Sequence, residues 1–257
     1  MSLHRFFIEG DLPPGGGETV LALAEGDLHH LGRVLRLGAG DRIVVVGADG
    51  REAAATLIEV APDRVTADVG ETIRRPRSPH VVLAPGLARR ERMEFTIQKA
   101  TELGVTEIWP FVSARCVVRL DDDRAGRRAE RWRRIAQEAA KQSQRAVVPV
   151  VRDPFTLDEL LAEAGGFDVV LVPWEEATET AVGIGEALDD EQATSDARVL
   201  VVVGPEGGFE VAEADALQSA GGRIVSLGRT VLRTETAAVV AVALTAYELG
   251  ALGGRAR

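Results

Sequence analysis

From residue 18 to residue 72, short apolar and β-branched runs alternate with polar positions and are cut by turn residues. The runs Thr19–Leu23, Arg42–Val46, Glu52–Val60 and Arg64–Val69 predict strands, because a period of two gives one buried and one solvated face. Gly38-Ala39-Gly40, Ala48-Asp49-Gly50 and Pro62-Asp63 punctuate them. Asp49-Gly50, between two apolar runs, predicts a hairpin turn. Asp27–Leu37 carries apolar residues at 28, 31, 34, 35 and 37, the spacing of a short helix. Residues 1–73 therefore predict a small β-barrel-like domain.

Arg74-Arg75-Pro76-Arg77-Ser78-Pro79 then breaks the pattern, and two prolines among arginines mark a linker over 74–79. Beyond it, over 80–257, apolar runs alternate with helical stretches. The runs are His80–Leu83, Val105–Phe111, Val147–Val151, Asp168–Val172, Val199–Val203 and Arg223–Ser226; the helical stretches are 91–103, 127–143, 156–164, 178–188, 210–220 and 235–249. Strands apolar on both faces that alternate with helices predict an α/β domain with a mainly parallel sheet. Thr101-Glu102-Leu103-Gly104 reads as a helix end closing on its glycine. Ala237–Leu244 is continuously apolar but only eight residues long, which suits a buried or subunit-facing helix. No run reaches the length of a membrane span, and Met1–Gly10 lacks the features of a secretion signal, so no membrane partner is expected.

With 257 residues, 46% hydrophobic and 27% charged, the chain is neither disordered nor collagen-like. Its one cysteine, Cys116, excludes an internal disulfide and suggests a cytoplasmic protein; with only four scattered histidines, no metal is expected. The net charge of −10 argues against a nucleic-acid partner until it is resolved along the chain. Residues 81–152 hold 15 basic and 9 acidic side chains, whereas residues 153–257 hold 6 and 19. Within that basic third, Arg124, Arg127, Arg128, Arg131, Arg133, Arg134, Lys141 and Arg145 fall on one helix, with Trp132, Ile135, Ala136 and Ala139 on its inner face. Such a helix can lie along phosphates, or its arginines can pair with Asp121, Asp122, Asp123, Glu130 and Glu138. Charge alone leaves both readings open.

Ligands of open α/β sheets sit beyond the carboxyl ends of the strands, so the last loops carry most weight. Gly204-Pro205-Glu206-Gly207-Gly208-Phe209 follows an apolar strand, and its three glycines allow close approach to a ligand. It has neither the Lys-Ser/Thr ending of a triphosphate loop nor a dinucleotide fingerprint, which disfavours a kinase or a dehydrogenase. Ser226–Ala237 joins the last strand to the last helix; Thr234 or Thr236 is expected to cap that helix, with Glu235 favoured by its dipole. Each loop taken singly could be a tight connection, and their occurrence at successive strand ends favours a site.

GPEGGF at 204–209, SLGRTVLRTETA at 226–237, MEFTIQKATELGV at 93–105, HRFF at 4–7 and HLGRVLRL at 30–37 resemble the RsmE family of 16S ribosomal RNA (uracil-N3) methyltransferases, nearly end to end. The resemblance implies a PUA-like RNA-binding domain followed by a SPOUT methyltransferase domain with a deep trefoil knot, acting as a homodimer with S-adenosylmethionine on 16S rRNA or the small ribosomal subunit. It implies a cofactor pocket lined by Leu171, Val172 and Pro173, by Gly204, Pro205, Glu206, Gly207 and Gly208, and by Leu227, Gly228, Val231, Leu232, Thr236 and Ala237. Gly207→Val is accordingly expected to change cofactor binding measured by calorimetry, and unchanged binding in a folded variant would remove the pocket assignment.

Methylation at a uracil nitrogen needs positioning, proton removal and shielding of charge on the uracil oxygens. Arg233 is the first candidate for that shielding and Arg5, reaching from the other subunit, the second; an ordinary ion pair is the alternative for each. RNA contact is expected from His30, Arg33 and Arg36 and from Arg134, Lys141, Gln142 and Arg145. Two other readings stand beside this one: a SPOUT enzyme acting elsewhere on RNA, such as a ribose 2′-hydroxyl, and a non-catalytic RNA-binding module.

Overall fold

A computed structural model describes residues 3–13, 15–48, 50–74, 79–116, 122–176 and 181–253. The chain forms two compact units, one of residues 1–77 with 141–147 and one of residues 78–140 with 148–257.

The first unit contains β1 (Arg5–Phe7), β2 (Gly17–Leu21), α1 (Glu25–His29), β3 (Arg42–Val46), β4 (Arg51–Val60), β5 (Val65–Val69) and β6 (Ile73–Arg74). Its sheet runs β1-β3-β4-β5-β2, with β6 on β4. Only the β1–β3 pair is parallel, and a bridge joins Ile8 to Leu23 beyond the ends of β1 and β2. Alternate residues supply the core, including Phe6, Ile43, Val45, Leu57, Val65 and Ala67. Where one helix is expected over 27–37, α1 starts at Glu25 and is followed by a π-helical turn, His30–Val34. The Leu35 N–H reaches the His30 carbonyl at 2.9 Å, so the wider turn buries Leu31 while His30 and Arg33 stay exposed. The β3–β4 hairpin turns through Gly50 at φ +75°; Asp49, like linker residues 75–78, lies outside the described residues.

The second unit contains β7 (His80–Pro85), α2 (Arg90–Glu102), β8 (Glu107–Ile108), β9 (Phe111–Val112), α3 (Asp122–Gln142), β10 (Val150–Val151), β11 (Phe155–Thr156), α4 (Leu157–Ala164), β12 (Val169–Pro173), α5 (Ile184–Asp190), β13 (Arg198–Val203), α6 (Val211–Ser219), β14 (Gly222–Val225) and α7 (Thr234–Glu248); the last two residues of α3 group with the first unit. The main sheet has order β10-β8-β7-β13-β12-β14, and every pair in it is parallel. The strands β7, β13 and β12 are buried on both faces. Val81, Leu83, Val199, Val201 and Leu171 join a core with Met93, Ile97, Trp132, Leu188 and Val242, while Val82, Val170, Val172, Leu200 and Val202 join a second core with Leu160, Phe209 and Leu217.

Several boundaries differ from the sequence pattern for physical reasons. Val105–Phe111 splits into β8 and β9 because Pro110 has no N–H to donate to a ladder. Val147–Val151 keeps only Val150 and Val151 as strand, since Pro149 has no N–H to donate to a ladder. The helix expected over 178–188 starts at Ile184, after Gly183, because Val182 bridges to Val225; residues 177–180 lie outside the described residues. On α3, Trp132, Ala136 and Ala139 are buried and Ile135 is half-buried. No described helix is long and apolar enough to cross a membrane.

Candidate functional site

Parallel pairing brings Pro85 of β7, Val203 of β13, Pro173 of β12 and Val225 of β14 to the same edge of the sheet. The loops after β12, β13 and β14 converge there around a cavity of about 350 Å³. Its wall is Pro173–Glu175, Gly204–Glu206 with Gly208, and Ser226–Thr234, completed by Arg92 of α2 and Ala237 of α7.

Backbone geometry makes the cavity possible. Gly208 at φ +68° and Gly228 at φ +108° occupy the left-handed region, and the Gly208 N–H closes a turn on the Pro205 carbonyl at 2.9 Å. Gly86, just after β7, passes directly beneath this turn: a Cβ there would lie 2.6 Å from the Pro205 nitrogen. Thr234 Oγ1 donates to the Gly204 carbonyl at 2.6 Å and so ties the two glycine-bearing loops together. Phe209, fully buried, stacks on Phe111 at a centroid distance of 6.3 Å and anchors the exit of the first loop.

Charge is divided across the cavity. Arg92 stands between two carboxylates, with Nη1 3.6 Å from Glu206 Oε1 and Nε 3.8 Å from Glu235 Oε2. Glu206 Oε1 also accepts from the Arg89 N–H at 2.8 Å. Arg229 and Arg233 are exposed at the cavity wall. Glu206 Oε2 and Trp174 Nε1 are buried without a hydrogen-bond partner among the described residues. Leaving such groups unmade costs about 1–3 kcal/mol each, so a ligand offering a donor and an acceptor would recover that energy. A peptide-lined hollow with an acidic inner edge and an arginine rim fits a polar ligand carrying positive charge beside an anionic reaction partner.

Of the residues singled out in the sequence, Pro173, Gly204, Pro205, Glu206 and Gly208 line this cavity, as do Leu227, Gly228, Val231, Leu232, Ala237 and Arg233. Leu171 and Val172 do not; their side chains are buried in the two cores on opposite faces of β12. Gly207 also lies outside the lining. A Cβ on it would come within 2.9 Å of Arg115 Cβ, and its carbonyl accepts from Arg115 Nη1 at 3.1 Å. Thr236 is exposed in the first turn of α7. Neither Thr234 nor Thr236 caps that helix: Arg233 is the N-cap and makes no side-chain cap bond, because the Thr234 hydroxyl is committed to Gly204. Arg5 is not among the lining residues; within the first unit its guanidinium is buried and paired with the Glu52 carboxylate.

Sequence reasoning missed Arg92, Trp174, Glu175 and Gly86. The signal for Arg92 was its place in an arginine cluster, Arg89-Arg90-Glu91-Arg92, at the start of a helix that follows a strand end. Gly86 had no comparable signal, since its need for glycine comes from Pro205, far away in sequence.

His30, Arg33 and Arg36 are exposed, as are Arg134 and Gln142. Lys141 is paired with Asp27, and Arg145 is half-buried, its burial drawing its pKa down to about 10. The arginines of α3 divide into two groups. Arg131 holds Glu94 through Nε at 2.6 Å and Nη2 at 2.9 Å, and Arg133 holds Asp153 at 2.8 Å and the Val151 carbonyl at 3.0 Å. These partners lie off the helix; Asp121 and the side chains of Asp122, Asp123 and Arg124 lie outside the described residues. Arg127, Arg128 and Arg134 make no ion pair among the described residues.

Residues 23–70 match the RNA methyltransferase PUA domain family, and residues 76–246 match the RNA methyltransferase domain family. The chain is 35% identical to the ribosomal RNA small subunit methyltransferase E of Bacillus subtilis over 254 residues, covering 98% of this chain and 99% of that one. It is 36% identical to the enzyme of the same name from Mycobacterium tuberculosis, covering 96% and 90%. Among solved structures, a ribosomal RNA small subunit methyltransferase E from Neisseria gonorrhoeae bound to S-adenosyl methionine superposes with a TM-score of 0.80 at 29% identity, covering 94% of this chain and 96% of that one. The N-terminal unit is thus PUA-like, the second is an α/β methyltransferase domain on a parallel sheet, and the chain belongs to the RNA methyltransferase family that contains ribosomal RNA small subunit methyltransferase E.

Proposed function

We propose that this protein transfers a methyl group from S-adenosylmethionine to N3 of a uridine in 16S rRNA of the small ribosomal subunit. The observation that carries this reading is the peptide-lined cavity between two loops tied by Thr234 and Gly204, in a chain with full-length relatives named for that RNA. The residues present fit the cofactor. Peptide groups of Gly204–Glu206, Gly208 and Ser226–Leu232, which line the cavity, suit the adenine and ribose, and the free buried oxygen of Glu206 suits a donor's ammonium or sulfonium charge. When bound, the group supplies an electrophilic methyl.

This chain's residues do the rest. Arg233, at the N-cap of α7 and on the cavity wall, offers paired donors to a uracil oxygen as the N3 proton leaves and negative charge grows. Arg92 keeps Glu206 and Glu235 in place at the inner edge, and Glu235, in the first turn of α7, is also favoured by the helix dipole. RNA is gripped by the exposed His30, Arg33 and Arg36 and by Arg134 and Gln142.

In the same reading the first sheet closes as a barrel, supported by the Ile8–Leu23 bridge. The C-terminal part carries a trefoil knot, supported by the way Val225 is flanked by Pro173, by Trp174, whose N–H reaches the Val225 carbonyl at 3.3 Å, and by Val182. The protein works as a cytoplasmic homodimer. The packed pair α2 and α7 supports dimerisation, for it exposes Phe95, Leu244 and Tyr247. The domains follow as 1–73 for RNA binding and 80–257 for catalysis, joined by 74–79. Incubation with labelled donor and small ribosomal subunits from a strain lacking the gene tests the activity. Label in 3-methyluridine is expected, and label in a 2′-O-methylated nucleoside would replace this reading with the ribose-directed one.

A further inference from the structure

A second depression, of about 470 Å³, lies in the same unit as the first cavity, between the loop after β7, the start of α2 and the first half of α3. Four arginines, Arg90, Arg127, Arg128 and Arg131, line it against a single carboxylate, Glu94. Its apolar lining is Leu87, Ala88 and Trp132, all buried. Glu94 is fully occupied: it accepts from Arg90 Nε at 2.8 Å and from both Nε and Nη2 of Arg131. It thereby clamps α2 to α3 and fixes two of the four guanidinium groups. Arg127 and Arg128 have no such partner among the described residues, and an apolar floor beneath them strengthens their field.

This cleft and the cofactor cavity share a wall of seven residues. In the stretch 86–92, Gly86 runs beneath Pro205, the Arg89 N–H bonds Glu206, and Arg92 enters the cofactor cavity, whereas Leu87, Ala88 and Arg90 face the cleft. Four guanidinium groups around one carboxylate leave the cleft strongly cationic, and its position between two helices, one loop away from the first cavity, suits an extended anionic chain better than a small anion.

We propose that the cleft formed by Arg90, Arg127, Arg128 and Arg131 over Trp132 holds the sugar–phosphate backbone of the RNA beside the nucleotide delivered to the cofactor cavity, with Arg127 and Arg128 as the phosphate-contacting groups. Trp132 is only 4% exposed, so it supplies a floor and not a stacking platform. The inference rests on the proposed RNA methyltransferase activity and says where on this surface the acceptor strand runs.

The test is the salt dependence of binding to a single-stranded RNA carrying the target uridine, together with methyl transfer, in the full-length wild type, in the double variant Arg127→Ala/Arg128→Ala and in Arg127→Lys/Arg128→Lys. Loss of two phosphate contacts should lower the slope of log K against log salt by about 1.4 and raise the KM for RNA roughly tenfold, with S-adenosylmethionine affinity by calorimetry unchanged. The lysine variant should retain the slope, because a phosphate is met by charge. An unchanged slope in the alanine variant, with a wild type that binds and methylates normally, overturns the cleft assignment and leaves the activity intact. A wild type that binds RNA but transfers no methyl overturns the activity instead, while the slope still reports on the cleft. If the alanine variant loses affinity for assembled small subunits but not for naked RNA, the cleft meets ribosomal protein, which also overturns the proposal.

Discussion

The two hollows on either side of residues 86–92 are built in opposite ways. The cavity proposed for the cofactor is framed by loops: glycines at positive φ, a prolyl turn and one hydroxyl tie set its walls, with arginine and glutamate side chains at its edges. The arginine cleft is made of long side chains from two helices, clamped by one carboxylate. Peptide groups held in fixed turns suit a ligand of constant shape, where a misplacement of an ångström is costly. Flexible cations on helices suit a polymer recognised through its charge, with tolerance for small displacements. Binding at the first hollow should therefore resist salt and fail on small steric changes, and binding at the second should do the reverse.

Each expected outcome below strains that contrast, in order of size. Arg233→Ala should reduce single-turnover methyl transfer by about 100-fold or more, the scale of one transition-state charge donor, while calorimetric S-adenosylmethionine affinity falls little. An unchanged rate would remove Arg233 from the chemistry. Gly86→Ala comes next. Its new methyl meets the Pro205 backbone and not a movable side chain, so overpacking should cost about 1–3 kcal/mol of stability and weaken cofactor binding roughly tenfold, with the salt slope for RNA unaltered. Gly207→Val should be milder for cofactor affinity, because that glycine faces Arg115 and not the cavity.

Smaller effects follow from single hydrogen bonds and protons. Thr234→Val removes the tie to Gly204 and should cost about 1 kcal/mol, read as a several-fold rise in the Kd for S-adenosylmethionine. In the cleft, the hydrogen bonds from Arg131, and then those from Arg90, hold the Glu94 carboxyl below its usual 4.5. A lowered folded pKa gives stability that is complete above the unfolded value and lost as pH falls through the folded one. Acid denaturation of Glu94→Gln below pH 4.5 should accordingly be shallower than that of the wild type, by a small margin since the pair is partly solvated.

The same contrast explains how much of the molecule could be read from its sequence. Backbone sites leave marks in sequence: the glycines of GPEGGF and of the Ser226–Ala237 segment stand out, Gly208 and Gly228 are needed because φ is positive there, and most residues of both segments line one cavity. Apolar strands between helices pointed to the parallel sheet for the reason that both of its faces are covered. What stayed hidden depends on pairings across the fold. Arg131 meeting Glu94, Arg5 meeting Glu52 and Lys141 meeting Asp27 join residues far apart in sequence, and local charge suggested other partners or none. Gly86 carries no local signal at all, and the hydroxyl of Thr234, which local rules assign to a helix cap, serves a longer-range tie.

The central claim is that the methyl donor sits among the peptide groups between the loop after β13 and the loop after β14. A crystal structure of the full-length protein with S-adenosylmethionine tests it most directly. The account predicts the donor between Gly204–Gly208 and Ser226–Leu232, with its cationic end toward Glu206. A donor bound in the arginine cleft, or anywhere else than between those two loops, would contradict it.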